Sequence, residues 1–77
     1  MKELLEYIVK ELVDNPDNVE IEEEEEDEKT VIFKVKVAEE DLGKVIGKKG
    51  RTANALRVVL RAASAKRGKS SIVKIID

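Results

Sequence analysis

The spacing of apolar residues switches between a helical and a strand period along this 77-residue chain, and the order of those switches leaves few architectures open. Leu4, Leu5, Ile8, Val9, Leu12 and Val13 recur at helical spacing, with charged residues on the other side, so an amphipathic helix is predicted over about residues 2–14. Pro16 stops it, because the residue before a proline is pushed out of the α region, and Asp14 to Asn18 reads as a turn. Val19 and Ile21 then open an alternation that Val31, Phe33, Val35 and Val37 resume. That is the signature of two half-buried strands. Glu26 to Lys29 is the expected hairpin connection, although it lacks an Asn-Gly pair. Lys34 and Lys36 are placed to pair across it with the acids of the first strand.

Leu42, Val45 and Ile46 mark a short helix over about residues 39–46. A longer one runs from about Arg51 to Lys66, with Ala55, Leu56, Val59, Leu60 and Ala63 predicted to face inward. Gly68 ends it. Ile72, Val73, Ile75 and Ile76 form a last strand with almost no polar alternation, which predicts a buried strand, central or parallel. The order α-β-β-α-α-β implies one α+β domain over 1–77, a three-stranded sheet with helices on one face.

A domain of this size has a thin core, burying only about 60–65% of the surface of its unfolded chain. Packing alone must hold it, since cysteine and histidine are both absent. The same absence removes the usual zinc and iron–sulfur sites, thiol chemistry, histidine acid–base catalysis and disulfides. No cofactor is expected. Thr52, Ser64, Ser70 and Ser71 have no candidate base, so an enzyme is not expected either. No apolar run approaches the roughly 18 residues needed to span a bilayer, and Glu3 and Glu6 interrupt the N-terminal apolar pattern. The expectation is therefore a cytoplasmic protein with no membrane partner.

Charge is strongly partitioned. Residues 1–41 hold five lysines against sixteen acids, a net of −11, while residues 42–77 hold ten Lys or Arg against Asp77 alone, a net of +9. Either one face meets a polyanion or the halves neutralise each other across the fold. Eight of the nine residues Glu20–Glu28 are acidic. Neighbours in a strand point to alternate faces, so a solvated strand edge is favoured over a metal site.

The loop Gly47-Lys48-Lys49-Gly50 sharpens the polyanion reading. A Gly-x-x-Gly pattern alone is weak. Here it joins two helices and carries two lysines, and the helix it opens sets Arg51, Asn54, Arg57 and Arg61 along one edge. Glycines allow a sharp turn and close backbone approach. The unpaired N–H groups of the helix start favour an anion. Together these outline a basic groove tracking a phosphate backbone. With Tyr7 and Phe33 as the only aromatics, a base-stacking platform of the RRM type is not expected.

The run Val45-Ile46-Gly47-Lys48-Lys49-Gly50-Arg51-Thr52-Ala53-Asn54-Ala55-Leu56-Arg57 resembles the signature of the KH domain, and the element order resembles its type II arrangement. Within that family the whole chain is similar to the KhpA proteins, small bacterial single-KH RNA-binding proteins. The resemblance implies a clamp for single-stranded RNA, acting as an RNA chaperone or post-transcriptional regulator. Gly47, Lys48, Lys49, Gly50 and Arg51 would contact the backbone of about four nucleotides, and Val45, Ile46, Ala53, Asn54 and Arg57 would line or edge the groove for the bases. Ala53 stands where many KH domains carry a large aliphatic. The groove floor is then either shallower or filled by Leu56. The competing reading is a protein-docking module without intrinsic RNA binding.

The apolar arc of the long helix is wider than one sheet face requires, since Val58, Ala62 and Ala65 fall outside the predicted inward face. This points to a homodimer with Val58, Val59 and Leu60 as candidate contacts. The resemblance implies the same, together with pairing to KhpB, a larger protein with its own KH domain.

Overall fold

The structure, a computed structural model, describes residues 1–76; Asp77, counted in the charge balance above, lies outside the described residues. Helix α1 spans Lys2–Leu12, strands β1 and β2 span Glu20–Glu25 and Thr30–Lys36, helices α2 and α3 span Leu42–Ile46 and Arg51–Ala65, and β3 spans Ser70–Ile76. This is the α+β order read from the sequence, with a three-stranded sheet and one core between it and the helices.

Strands β1 and β2 are antiparallel, with Glu20 opposite Lys36 and Glu22 opposite Lys34. The cross-strand charge pairing is present as a 3.2 Å contact from Lys34 Nζ to Glu24 Oε2. The hairpin closes without Asn-Gly because Asp27 does the work. Its carboxylate accepts the N–H groups of Lys29 and Thr30, each at 2.8 Å. These backbone donors, Lys29 first, hold the Asp27 carboxyl below its ordinary pKa.

Strand β3 is parallel to β2, but it is an edge strand and not a central one, since the sheet order is β1-β2-β3. Its unbroken apolar run is not double burial. Val73 faces the helices and is buried, whereas Ile72 and Ile76 lie on the other face, 40% and 38% exposed. Strand β2 takes the centre, and its Phe33 and Val35 are fully buried with Leu5, Val9, Val45 and Leu60.

The inward face of α3 also differs from the pattern read by hydrophobicity alone. Ala53, Leu56, Leu60 and Ser64 are buried, while Ala55 and Val59 are exposed. Ser64 is tolerated inside because its hydroxyl donates to the Leu60 carbonyl at 2.7 Å. Leu60 is therefore a core residue, which removes it from the expected dimer contacts.

Helix α1 ends at Leu12, two residues before the expected boundary. The cause is tertiary. The backbone N–H groups of Asp14 and Asn15 donate to the two carboxylate oxygens of Asp41 at 3.1 and 2.9 Å, so they are withdrawn from the helical ladder. The Asn15 side-chain amide adds a third bond to Asp41 at 3.0 Å. Asp41 has no solvent exposure. Burial works to raise its pKa, but the Asn15 amide, both backbone donors and the Lys44 ammonium outweigh that, and the carboxyl sits below its ordinary value.

A group with a lowered folded pKa contributes stability above its unfolded pKa and loses it as pH falls through the folded value. For Asp41 that loss lies below about pH 4. Asp41→Ala is expected to lower Tm by roughly 10 °C at pH 6, because three donors lose their acceptor. The Tm gap from wild type should shrink by pH 2, as followed by circular dichroism. A gap unchanged across that range would remove the ionised clamp from the account.

Candidate nucleic-acid interface

Helix α2 is only five residues long, and its start is held by the Asp41 clamp while its end delivers Gly47. The loop then needs left-handed or glycine-only conformations at three of its four residues: Gly47 at φ 75, ψ 170, Lys49 at φ 58, ψ 26 and Gly50 at φ 75, ψ 13. The two glycines are required for different reasons. A Cβ on Gly47 would lie 2.2 Å from Thr52 Oγ1, so the Thr52 side chain fills the space that any other residue needs. A Cβ on Gly50 would meet nothing within 4 Å, and only its φ favours glycine. Lys49 is the one non-glycine residue with positive φ among the described residues. Such a conformation costs about 1–2 kcal/mol.

This turn leads directly into the first turn of α3, whose N-cap Gly50 supplies no side-chain cap. The backbone N–H groups of that first turn lie at the positive end of the helix dipole, with the N–H of Arg51 already donated to the Lys48 carbonyl. Lys48, Lys49 and Arg51 are exposed around them. The charge partition can now be resolved locally. Among the described residues of 42–77, Lys44 is the one cation with a carboxylate within 4 Å, pairing with Asp14 and, at 3.6 Å, with Asp41. Its pKa is raised, chiefly by the hydrogen bond to Asp14. The loop cations face no such neutralisation.

The other site candidates divide by burial. Ile46 is 37% exposed beside the loop, and Asn54 is exposed on the α3 edge. Val45 is fully buried and Ala53 is 3% exposed, so both support the loop from beneath. Leu56 is buried and lines an apolar groove of about 180 Å³ with Ile8, Leu12, Thr52, Ala55 and Val59. Arg57 is half-buried and pairs with no carboxylate among the described residues. Its Nε donates to the Val73 carbonyl at 3.3 Å and its Nη1 to Asn54 Oδ1 at 3.1 Å. Val58 and Val59 are 59% and 43% exposed on the outer side of α3.

Sequence reasoning missed two residues that build this site, Asp41 and Thr52. Nothing local in the sequence points to Asn15 as the partner of Asp41. Thr52 sits at the fifth position after Gly47, a spacing with no general meaning until the loop conformation is known. Gly47→Ala is expected to destabilise the fold by about 2 kcal/mol or more, against about 1 kcal/mol for Gly50→Ala. Urea denaturation of the two variants gives the comparison, and equal losses would contradict the Thr52 contact.

A family model described as the KH domain of KhpA/KhpB matches residues 2–75. The chain is 53% identical to the RNA-binding protein KhpA of Clostridium acetobutylicum, over 99% of this chain and all of the relative. It is 47% identical to the RNA-binding protein KhpA of Aquifex aeolicus, over all of this chain and 96% of the relative. For the protein of that name in Listeria monocytogenes the identity is 44% over the full length of both. No solved structure matches the chain. The match to the family model spans the clamp, the hairpin, the glycine loop and all three strands, and the chain therefore belongs to the KhpA/KhpB family of KH domains.

Proposed function

We propose that this chain is a non-catalytic binder of single-stranded RNA, which it grips by the sugar–phosphate backbone at Gly47 to Arg51. The observation that carries this reading is local. Lys48, Lys49 and Arg51 surround a helix start that has no side-chain cap, and the acidic half of the chain, which neutralises Lys44, does not reach them. Mobile ammonium groups, a planar guanidinium and fixed backbone N–H groups are complementary to successive phosphates. Ile46 and the Asn54–Arg57 edge supply the wall against which bases lie. The relatives named as RNA-binding proteins support the same reading. The role we assign is that of a cytoplasmic RNA chaperone or post-transcriptional regulator.

One loop touching about four nucleotides makes a weak reader. Pairing two such units raises the effective concentration of the second and lifts affinity without new contact types. The outer face of α3, with Val58 and Val59 exposed among small residues, suits that role. We place the homodimer contact there, and the same face serves a larger KH-containing partner. A docking module without RNA affinity is the second reading, favoured by that same exposed face.

Two measurements separate them. Replacing Lys48 and Lys49 together with Asp should abolish gel-shift binding of short single-stranded RNA while the circular dichroism spectrum is kept, because both side chains are exposed and Asp tolerates the left-handed position. For the wild type, log affinity should fall with log salt at a slope of about −2 to −3, from about 0.7 per phosphate contact. A flat slope would favour the docking module. For the dimer, sedimentation equilibrium should give about twice the 8.6 kDa chain mass, reverting to the single mass in Val58→Glu. One chain mass at every concentration would count against the α3 contact.

A further inference from the structure

The edge of α3 that faces β3 holds a hydrogen-bond arrangement that the phosphate clamp does not use. Two acceptors border the space between helix and strand, the backbone carbonyl of Val73 and the side-chain oxygen of Asn54. A single guanidinium occupies both, with Arg57 Nε on Val73 O at 3.3 Å and Arg57 Nη1 on Asn54 Oδ1 at 3.1 Å. Guanidinium has donors only, so it dictates which end of the Asn54 amide it meets. The oxygen turns to Arg57, and the two N–H groups of Nδ2 are what Asn54, an exposed residue, presents outward. Its neighbours along the edge, Arg51 and Arg61, also carry donors only. Arg57 itself is half-buried and held at two points on two elements.

We infer that Arg57 is a positioning residue that makes this wall a donor-only surface, and that the wall selects RNA bases by edges rich in acceptors. The inference rests on the RNA-binding reading above and adds a base preference to it. Cytosine places N3 and O2 side by side, two acceptors that the paired Nδ2–H groups and an arginine can meet together. Adenine places an amino donor beside the ring acceptor on both its Watson–Crick and Hoogsteen edges, so a donor-only wall meets one repelling group at each. The preference is therefore for cytidine over adenosine. It depends on the amide being locked, since an unlocked Asn54 would rotate to match either edge.

The test compares short oligocytidylate and oligoadenylate of equal length in the wild type, Asn54→Asp and Arg57→Lys, by fluorescence anisotropy at fixed salt. The wild type should prefer oligocytidylate by about fivefold or more. Asn54→Asp keeps a partner for Arg57 but replaces the outward donors with an acceptor, so the ratio should fall to about one or below. Arg57→Lys keeps the charge but cannot hold both acceptors with its geometry, so the ratio should narrow while the salt slope stays as in the wild type. In the free protein, the Arg57 Nε–H NMR signal should be protected from exchange in the wild type and in Asn54→Asp. A wild-type ratio near one, an unchanged ratio in Arg57→Lys, or an unprotected Nε–H would each overturn the inference while leaving backbone binding intact. Absence of binding to either oligomer would overturn the RNA reading and this inference with it.

Discussion

The Asp41 carboxylate is the interaction on which the rest of the arrangement depends. It has no solvent exposure, yet it stays charged because the N–H groups of Asp14 and Asn15, the Asn15 amide and the Lys44 ammonium converge on it. A buried charge without such partners would cost several kcal/mol. With them, one side chain does three jobs. It ends α1 at Leu12, it ties the first turn region to the start of α2 across 26 and 27 residues of sequence, and it shares the Lys44 ammonium with Asp14. Since α2 is only five residues long, fixing its start also fixes where its last residue hands over to the glycine loop.

The loop itself is built by exclusion as much as by freedom. Thr52 occupies the volume beside Gly47, so the loop cannot relax towards an ordinary side-chain-bearing turn. Lys49 is held in a left-handed conformation at some cost. Local strain of this kind persists only where surrounding structure holds it. Here the support is the buried Val45 on one side and the buried Ala53 on the other. Neither residue is exposed, yet both set where the exposed cations stand.

The acidic and basic halves play opposite parts in the same sheet-and-helix frame. Of the β1 acids, Glu24 is paired across the hairpin by Lys34, and the others leave an edge strand that is charged and poorly suited to edge-to-edge pairing. The α3 cations are left largely unmatched. Arg57 differs in kind, since it answers a backbone carbonyl and a side-chain amide. Net charge therefore says little about this domain, and the placement of its few ion pairs says much more.

Much of this was legible in the residues themselves. The amphipathic period of α1, the alternation of β2 and the break at Gly47 to Gly50 are local properties, dictated by side-chain solvation and by the backbone angles that Gly and Pro permit or forbid. They determined the element order, the α+β class and the loop with its lysines. What only the tertiary structure decided concerns residues far apart in the chain. The position of β3 at the sheet edge, the rotation of α3 that buries Leu60 and Ser64 and exposes Val59, the early end of α1 and the partners of Asp41, Lys44 and Arg57 all depend on which segments come together. Period and composition fix which face of a segment is apolar; they carry no information about which distant donor or acceptor will meet it, because that is set by packing of the whole core at once.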